Sequence, residues 1–174
     1  YSRPNDHSAL SLVPDDEGGA RQAVRHLIGL GRKRVAHITG PERFEAVGLR
    51  HRGYSNELAE AGIAAKPDFY LSGAWSEGWG REAVAKLYDG KRVTPDALFC
   101  GNDQIARGAV EALTERGINV PDAVAVVGFD NWDVMTLGSR PPLSSIDMNL
   151  TELGREAGRT LLAMIGGERI TTTI

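Results

Sequence analysis

Short apolar runs alternate with helical stretches along almost the whole chain, and this alternation limits the folds open to it. Residues 34–39 (RVAHIT), 96–100 (DALFC) and 123–129 (AVAVVGF) are compact and nearly apolar, as strands covered on both faces would be. Residues 9–13, 68–71 and 143–146 read as shorter strands. Between them, residues 17–30, 47–61, 77–87, 103–116 and 150–165 carry apolar side chains at helical spacing. Gly31, Gly62, Gly117 and the pair Gly166-Gly167 stand where these helices would stop. Strands and helices in strict alternation imply right-handed crossovers. The expected fold is α/β: a doubly wound parallel sheet with helices on both faces.

In such sheets a ligand sits beyond the carboxyl ends of the strands. Four loops therefore matter. The first follows Gly40-Pro41 and leads to Arg50, a fixed cation whose plainer reading on residue type is a solvated helix residue. The second holds Trp75, whose flat apolar face can stack on a sugar or a base, or simply pack on its own core. The third is Gly101-Asn102-Asp103-Gln104. One of Asn102 and Asp103 caps the next helix and the other is free for the cleft. The fourth is Asp130-Asn131-Trp132, where Asp130 either accepts from ligand hydroxyls or forms the turn.

The chain's content excludes several other functions. Lys and Arg number 20 against 23 Asp and Glu, a net charge of −3, which is not the basic balance of a nucleic-acid-binding surface. The single cysteine, Cys100, excludes an internal disulfide framework and a multi-cysteine zinc site. His7, His26, His37 and His51 are scattered without metal-ligand spacing, so they read as core or surface residues and no metal is expected. No GxSxG elbow, P-loop or dinucleotide fingerprint occurs; Gly29-Leu30-Gly31 ends a helix where a fingerprint would open one. No base and nucleophile pair stands at the strand ends, so neither enzymatic activity nor a cofactor is expected. No apolar run approaches the roughly eighteen residues that span a bilayer, and the polar start lacks a signal peptide, which fits a cytoplasmic location.

Taken in order, these blocks resemble the lactose-repressor and purine-repressor (LacI/GalR) family of bacterial transcription regulators. HLIGLGRKRVAHITG (residues 26–40), RHRGY (50–54), TPDALFCGNDQ (94–104), VAVVGFDN (124–131), RPPLSSI (140–146) and Leu153-Gly154 match the family's blocks in the family's order. The resemblance runs from about residue 13 to the end.

The resemblance implies a fold like that of the type I periplasmic binding proteins, with this chain forming mostly the second lobe. Residues 1–14 would end the first lobe and cross over, 15–147 would form the C-terminal lobe, and 148–174 would return and pack a helix on the first lobe. It implies a small-molecule effector, a carbohydrate by class, in the cleft between the lobes. The matching positions are Arg50, Trp75, Asn102 and Asp130; Asp103 matches as well, but is better read as the cap of the helix. Phe44, Ala46 and Met148 would line the same cleft, where the family often carries polar residues. The family's nearby Asp falls close to Pro14, beside Asp15 and Asp16. Operator DNA would be bound only through an N-terminal helix-turn-helix domain absent from this chain, in a homodimer with no membrane association. A periplasmic sugar-binding protein of the same fold is the alternative.

Overall fold

The computed structural model describes residues 10–168. Five strands, β1 (Val35–Thr39), β2 (Tyr70–Ser72), β3 (Ala97–Cys100), β4 (Ala125–Asp130) and β5 (Ser144–Asp147), form one sheet in the order β2-β1-β3-β4-β5. Every pairing is parallel, as the alternation predicts.

Helices cover both faces. α1 (Asp16–Gly29) and α2 (Glu45–Glu60) pack on one, where Val24, Leu27, Tyr54 and Leu58 meet Phe99, Val127 and Phe129. α3 (Glu77–Tyr88) and α4 (Asp103–Glu115) pack on the other, where Val84, Leu87, Val110 and Leu113 meet Ile38 and Leu98. α3 and α4 approach backbone to backbone. A Cβ on Gly108 would lie 2.0 Å from the Glu77 carbonyl oxygen, and one on Gly80 2.2 Å from that of Ile105. Glycine is needed at both positions because any side chain would push the helices apart.

α5 (Asp133–Thr136) follows β4, and α6 (Leu150–Ile165) follows β5. The face of α6 carrying Leu161, Leu162 and Ile165 is exposed, with Leu162 at 71%.

Two local expectations are corrected. Residues 10–13 form no strand, and Ala9 lies outside the described residues. The expected strand at 68–71 is displaced: Pro67–Phe69 is a 3-10 turn and β2 starts at Tyr70. Proline fixes φ and brings no N–H to a ladder, so Pro67 opens a turn more readily than a strand. α5 has no counterpart in the sequence reading.

The helix after β1 lies on one face and the helix after β3 on the other. The gap between the carboxyl ends of these two strands is thus the topological switch point where open α/β sheets bind ligands.

Candidate functional site

At that switch point a cavity of about 710 Å³ opens. Arg50, Trp75, Asn102 and Asp130 all line it. So do Phe44, Ala46 and Met148. Trp132, Asp147 and Asn149, which the sequence reading did not select, complete its walls with the start of α6.

Arg50 is a buried residue of α2 and not the solvated cation that residue type alone allowed. Its Nε donates to Asp16 Oδ1 at 2.7 Å, and its Nη2 lies 2.7 Å from the same oxygen. Both side chains are only 7% exposed. Nη1 donates to the Gly101 carbonyl at the end of β3. The guanidinium lies over the Phe129 ring, 3.7 Å from its centroid. Asp130 Oδ1 is 3.9 Å from Nη2. Arg50 and Asp130 do not follow neighbouring strands, since β3 separates β1 from β4. The length of the arginine bridges that gap.

Asp16 is the partner that sequence reasoning missed. It occupies the first turn of α1, where an acidic residue is expected for the helix dipole alone. Asp15 caps that helix by accepting from Gly18 N–H at 2.8 Å. This leaves Asp16 free to turn inward.

Asn102, not Asp103, caps α4: its Oδ1 accepts from Ile105 N–H at 2.9 Å. The expectation for this pair is therefore reversed. Cap geometry selects the residue just before the first helical turn, and both side chains can serve. The Asn102 amide nitrogen remains on the cavity side as a donor, with Gln104 Oε1 at 3.5 Å. Asp103 is fully buried behind the wall. It accepts from Ser145 Oγ at 2.5 Å and from Trp132 N–H at 2.7 Å. Burial raises its carboxyl above the usual range, while these bonds and Arg50 oppose the shift.

Those bonds pin the loop that presents Asp130. Asp130 has φ 103° and Asn131 φ 52°, both in the left-handed region. Asn131 N–H donates to Ser145 Oγ at 3.0 Å. A non-glycine residue with so positive a φ is strained, and such strain gathers at functional sites. The Asp130 carboxyl is pushed up to about 6, chiefly by burial, with Arg50 opposing and Asp103 and Asp16 adding to the rise.

Trp75 closes another side. Its indole packs over Gly40, where a Cβ would stand 2.2 Å from the ring, and Phe44 tilts against it at 6.2 Å between centroids. Trp132 is 53% exposed and lines the cavity as a second indole.

This arrangement offers one paired cation, exposed carboxylate oxygens, an amide and flat aromatic surfaces. Among the described residues, no group of three or more His, Cys, Asp or Glu side chains could hold a metal ion. No helix there is long and apolar enough to cross a membrane.

Residues 24–173 match the family model for the periplasmic binding protein-like domain. The chain belongs to that family. Within it, this periplasmic-binding-protein-like domain is similar to the HTH-type transcriptional repressor PurR of Haemophilus influenzae. The two are 35% identical over 160 residues, 91% of this chain and 47% of that protein. The solved structure of a regulatory protein of the LacI family from Chloroflexus aggregans superposes with a TM-score of 0.88 at 29% identity, over 99% of this chain and 61% of that one. The transcriptional regulator CelR in complex with cellobiose superposes with a TM-score of 0.85 at 32% identity, over 97% and 52%. The LacI-family resemblance and the binding-protein-like α/β fold expected from the sequence are both upheld. The chain spans about half the length of the curated relatives it matches.

Proposed function

We propose that this domain senses a small polyhydroxylated effector, a sugar or a close relative, for a bacterial transcriptional regulator. The observation that carries the reading is the convergence of Arg50, Trp75, Asn102 and Asp130 on one cavity at the switch point of the sheet. A carboxylate accepts from adjacent hydroxyls, an amide donates to a third, and an indole stacks on the ring's apolar face. The cellobiose complex of the similar regulator CelR supports a carbohydrate.

The regulator is cytoplasmic and homodimeric, and it performs no catalysis. Residues 15–147 act as its C-terminal lobe, residues 1–14 end the first lobe, and residues 148–174 return to it. The exposed apolar face of α6 is the surface that packs there. DNA is held by a helix-turn-helix domain outside these 174 residues, and effector binding changes the angle between lobes and hence operator affinity.

The test is calorimetric titration of the full-length protein with neutral mono- and disaccharides, repeated on Asp130→Ala. One hydrogen-bonding charged group contributes about 1.5–3 kcal/mol, so the variant should bind roughly ten- to a hundred-fold more weakly. An unchanged affinity, with only the melting temperature lowered, would make Asp130 a turn residue and sink the assignment.

A further inference from the structure

A cavity with an arginine in its wall usually attracts anions, because the guanidinium presents two parallel N–H groups to a phosphate or carboxylate. Here that fork is taken. The Nε–Nη2 edge of Arg50 faces Asp16, with both nitrogens 2.7 Å from Oδ1. Nη1 is bound to the Gly101 carbonyl, one face lies on Phe129, and Nη2 already faces Met148 Sδ at 3.8 Å. No edge remains for bidentate contact.

The remaining charges point the same way. The other ionisable side chains lining the cavity are Asp130 and Asp147, both acidic. Asp147 Oδ1 accepts from Asn149 N–H at 2.8 Å, and the residue lines the cavity wall. Arg43, beside the lining residue Phe44, is exposed and lies over that ring, 4.8 Å from its centroid. It lies outside the lining. Burial pushes the Asp130 carboxyl up to about 6, with Arg50 opposing the rise and Asp103 and Asp16 adding to it.

We propose that Asp16 sets the charge selectivity of the cavity: by occupying the Arg50 fork it makes the site accept neutral polyhydroxylated ligands and reject phosphorylated or carboxylated ones. The inference rests on the cavity being the effector site. Asp16 is a specificity residue that acts through Arg50, not a ligand contact, since it is absent from the lining. A neutral ligand needs only single hydrogen bonds, which the Asn102 amide, the Asp130 carboxyl and the one guanidinium N–H left on Nη1 supply.

The experiment uses the full-length protein and two probe sets. In the first, inorganic phosphate is titrated while the fluorescence of the cavity indoles is followed, on the parent and Asp16→Asn. The parent should give no saturable response below about 10 mM, where even a weak specific site fills. Asp16→Asn should bind phosphate at least about ten-fold more tightly than the parent, since it removes the negative charge that neutralises the Arg50 guanidinium. In the second, glucose, galactose, ribose and cellobiose are compared with glucose 6-phosphate and ribose 5-phosphate by calorimetry.

A parent whose cavity indoles report saturable phosphate binding below about 10 mM overturns the proposal. So does a sugar phosphate that binds as tightly as its parent sugar. Thermal melts show whether Asp16→Asn folds; the measurements on the parent decide the matter if it does not. Should no sugar bind while phosphate is still refused, the polyhydroxyl reading falls and the charge selectivity stands. Should sugars and their phosphates bind alike, the reverse holds.

Discussion

Ser145 on β5 donates its hydroxyl to Asp103 at the start of α4, 2.5 Å away. The same hydroxyl oxygen accepts from Asn131 N–H, so one serine joins β5, α4 and the loop that aims Asp130. Removing it leaves a fully buried carboxyl short of a donor. Ser145→Ala should cost about 1–3 kcal/mol of stability, read as a lower denaturant midpoint with an unchanged slope. For a chain of this size that is a fall of roughly 2–12 °C in Tm. A midpoint equal to the parent's would mean water replaces the hydroxyl without loss.

His37 makes stability depend on pH. It lies in β1, stacked on Phe99 at 4.5 Å between centroids, and its Nδ1 donates to the Phe99 carbonyl at 3.1 Å. Its Nε2 is buried and has no partner among the described residues. Burial holds its pKa down to about 3 from 6.5, so the folded state keeps it neutral. The unfolded chain binds the proton first as pH falls. His37 therefore contributes full stability above about 6.5, and loses it towards pH 3 at about 1.4 kcal/mol per pH unit. His37→Phe should flatten the fall in stability between pH 6.5 and 4, measured by urea unfolding at each pH.

Asp130 acts with the opposite sign. Its folded pKa of about 6 exceeds the ordinary 3.8, so it favours the fold below 3.8 and loses that contribution as pH rises through 6. Asp130→Asn removes the buried charge. It should raise Tm at pH 8 and leave it unchanged or lower at pH 3.5. A gain of equal size at both pH values would assign the effect to backbone strain and not to charge.

The two glycine-to-alanine substitutions on opposite sides of the fold should diverge. Gly108→Ala places a methyl 2.0 Å from the Glu77 carbonyl oxygen, so α3 and α4 must separate. Overpacking of this kind costs about 1–3 kcal/mol or more, outweighing the roughly 1 kcal/mol of helix propensity gained. In α6, Gly154→Ala meets nothing within 4 Å and should stabilise by up to about 1 kcal/mol. Circular dichroism melts of the two variants check both signs.

Much of this architecture was legible because its signals are local. The apolar runs at 34–39, 96–100 and 123–129 sit on or within a residue or two of β1, β3 and β4. The loops beyond them, taken with the switch-point rule, led to Arg50, Trp75, Asn102 and Asp130. What escaped depends on partners far along the chain. Asp16 looks like any first-turn acid until α2 brings Arg50, 34 residues away, against it. Asn102 and Asp103 are both cap-forming types, and only backbone geometry separates them. His37 gave no sign of its stacking on Phe99, which arises from the register of β1 beside β3. α5 spans four residues, too few for any period to show.

Arg50 joins α1 through Asp16, β3 through Gly101 and β4 through Phe129. The inner wall of the cavity thus doubles as a tie among three elements, and it cannot drift without loosening the sheet. Phe44 and Ala46 carry no comparable duty: Phe44 opens α2 without a side-chain capping bond. Divergence of ligand preference, in nature or in a randomised library, is therefore channelled to the rim. A library varied at positions 44 and 46 should yield mostly folded proteins with scattered ligand preferences. One varied at position 50 should yield mostly aggregates.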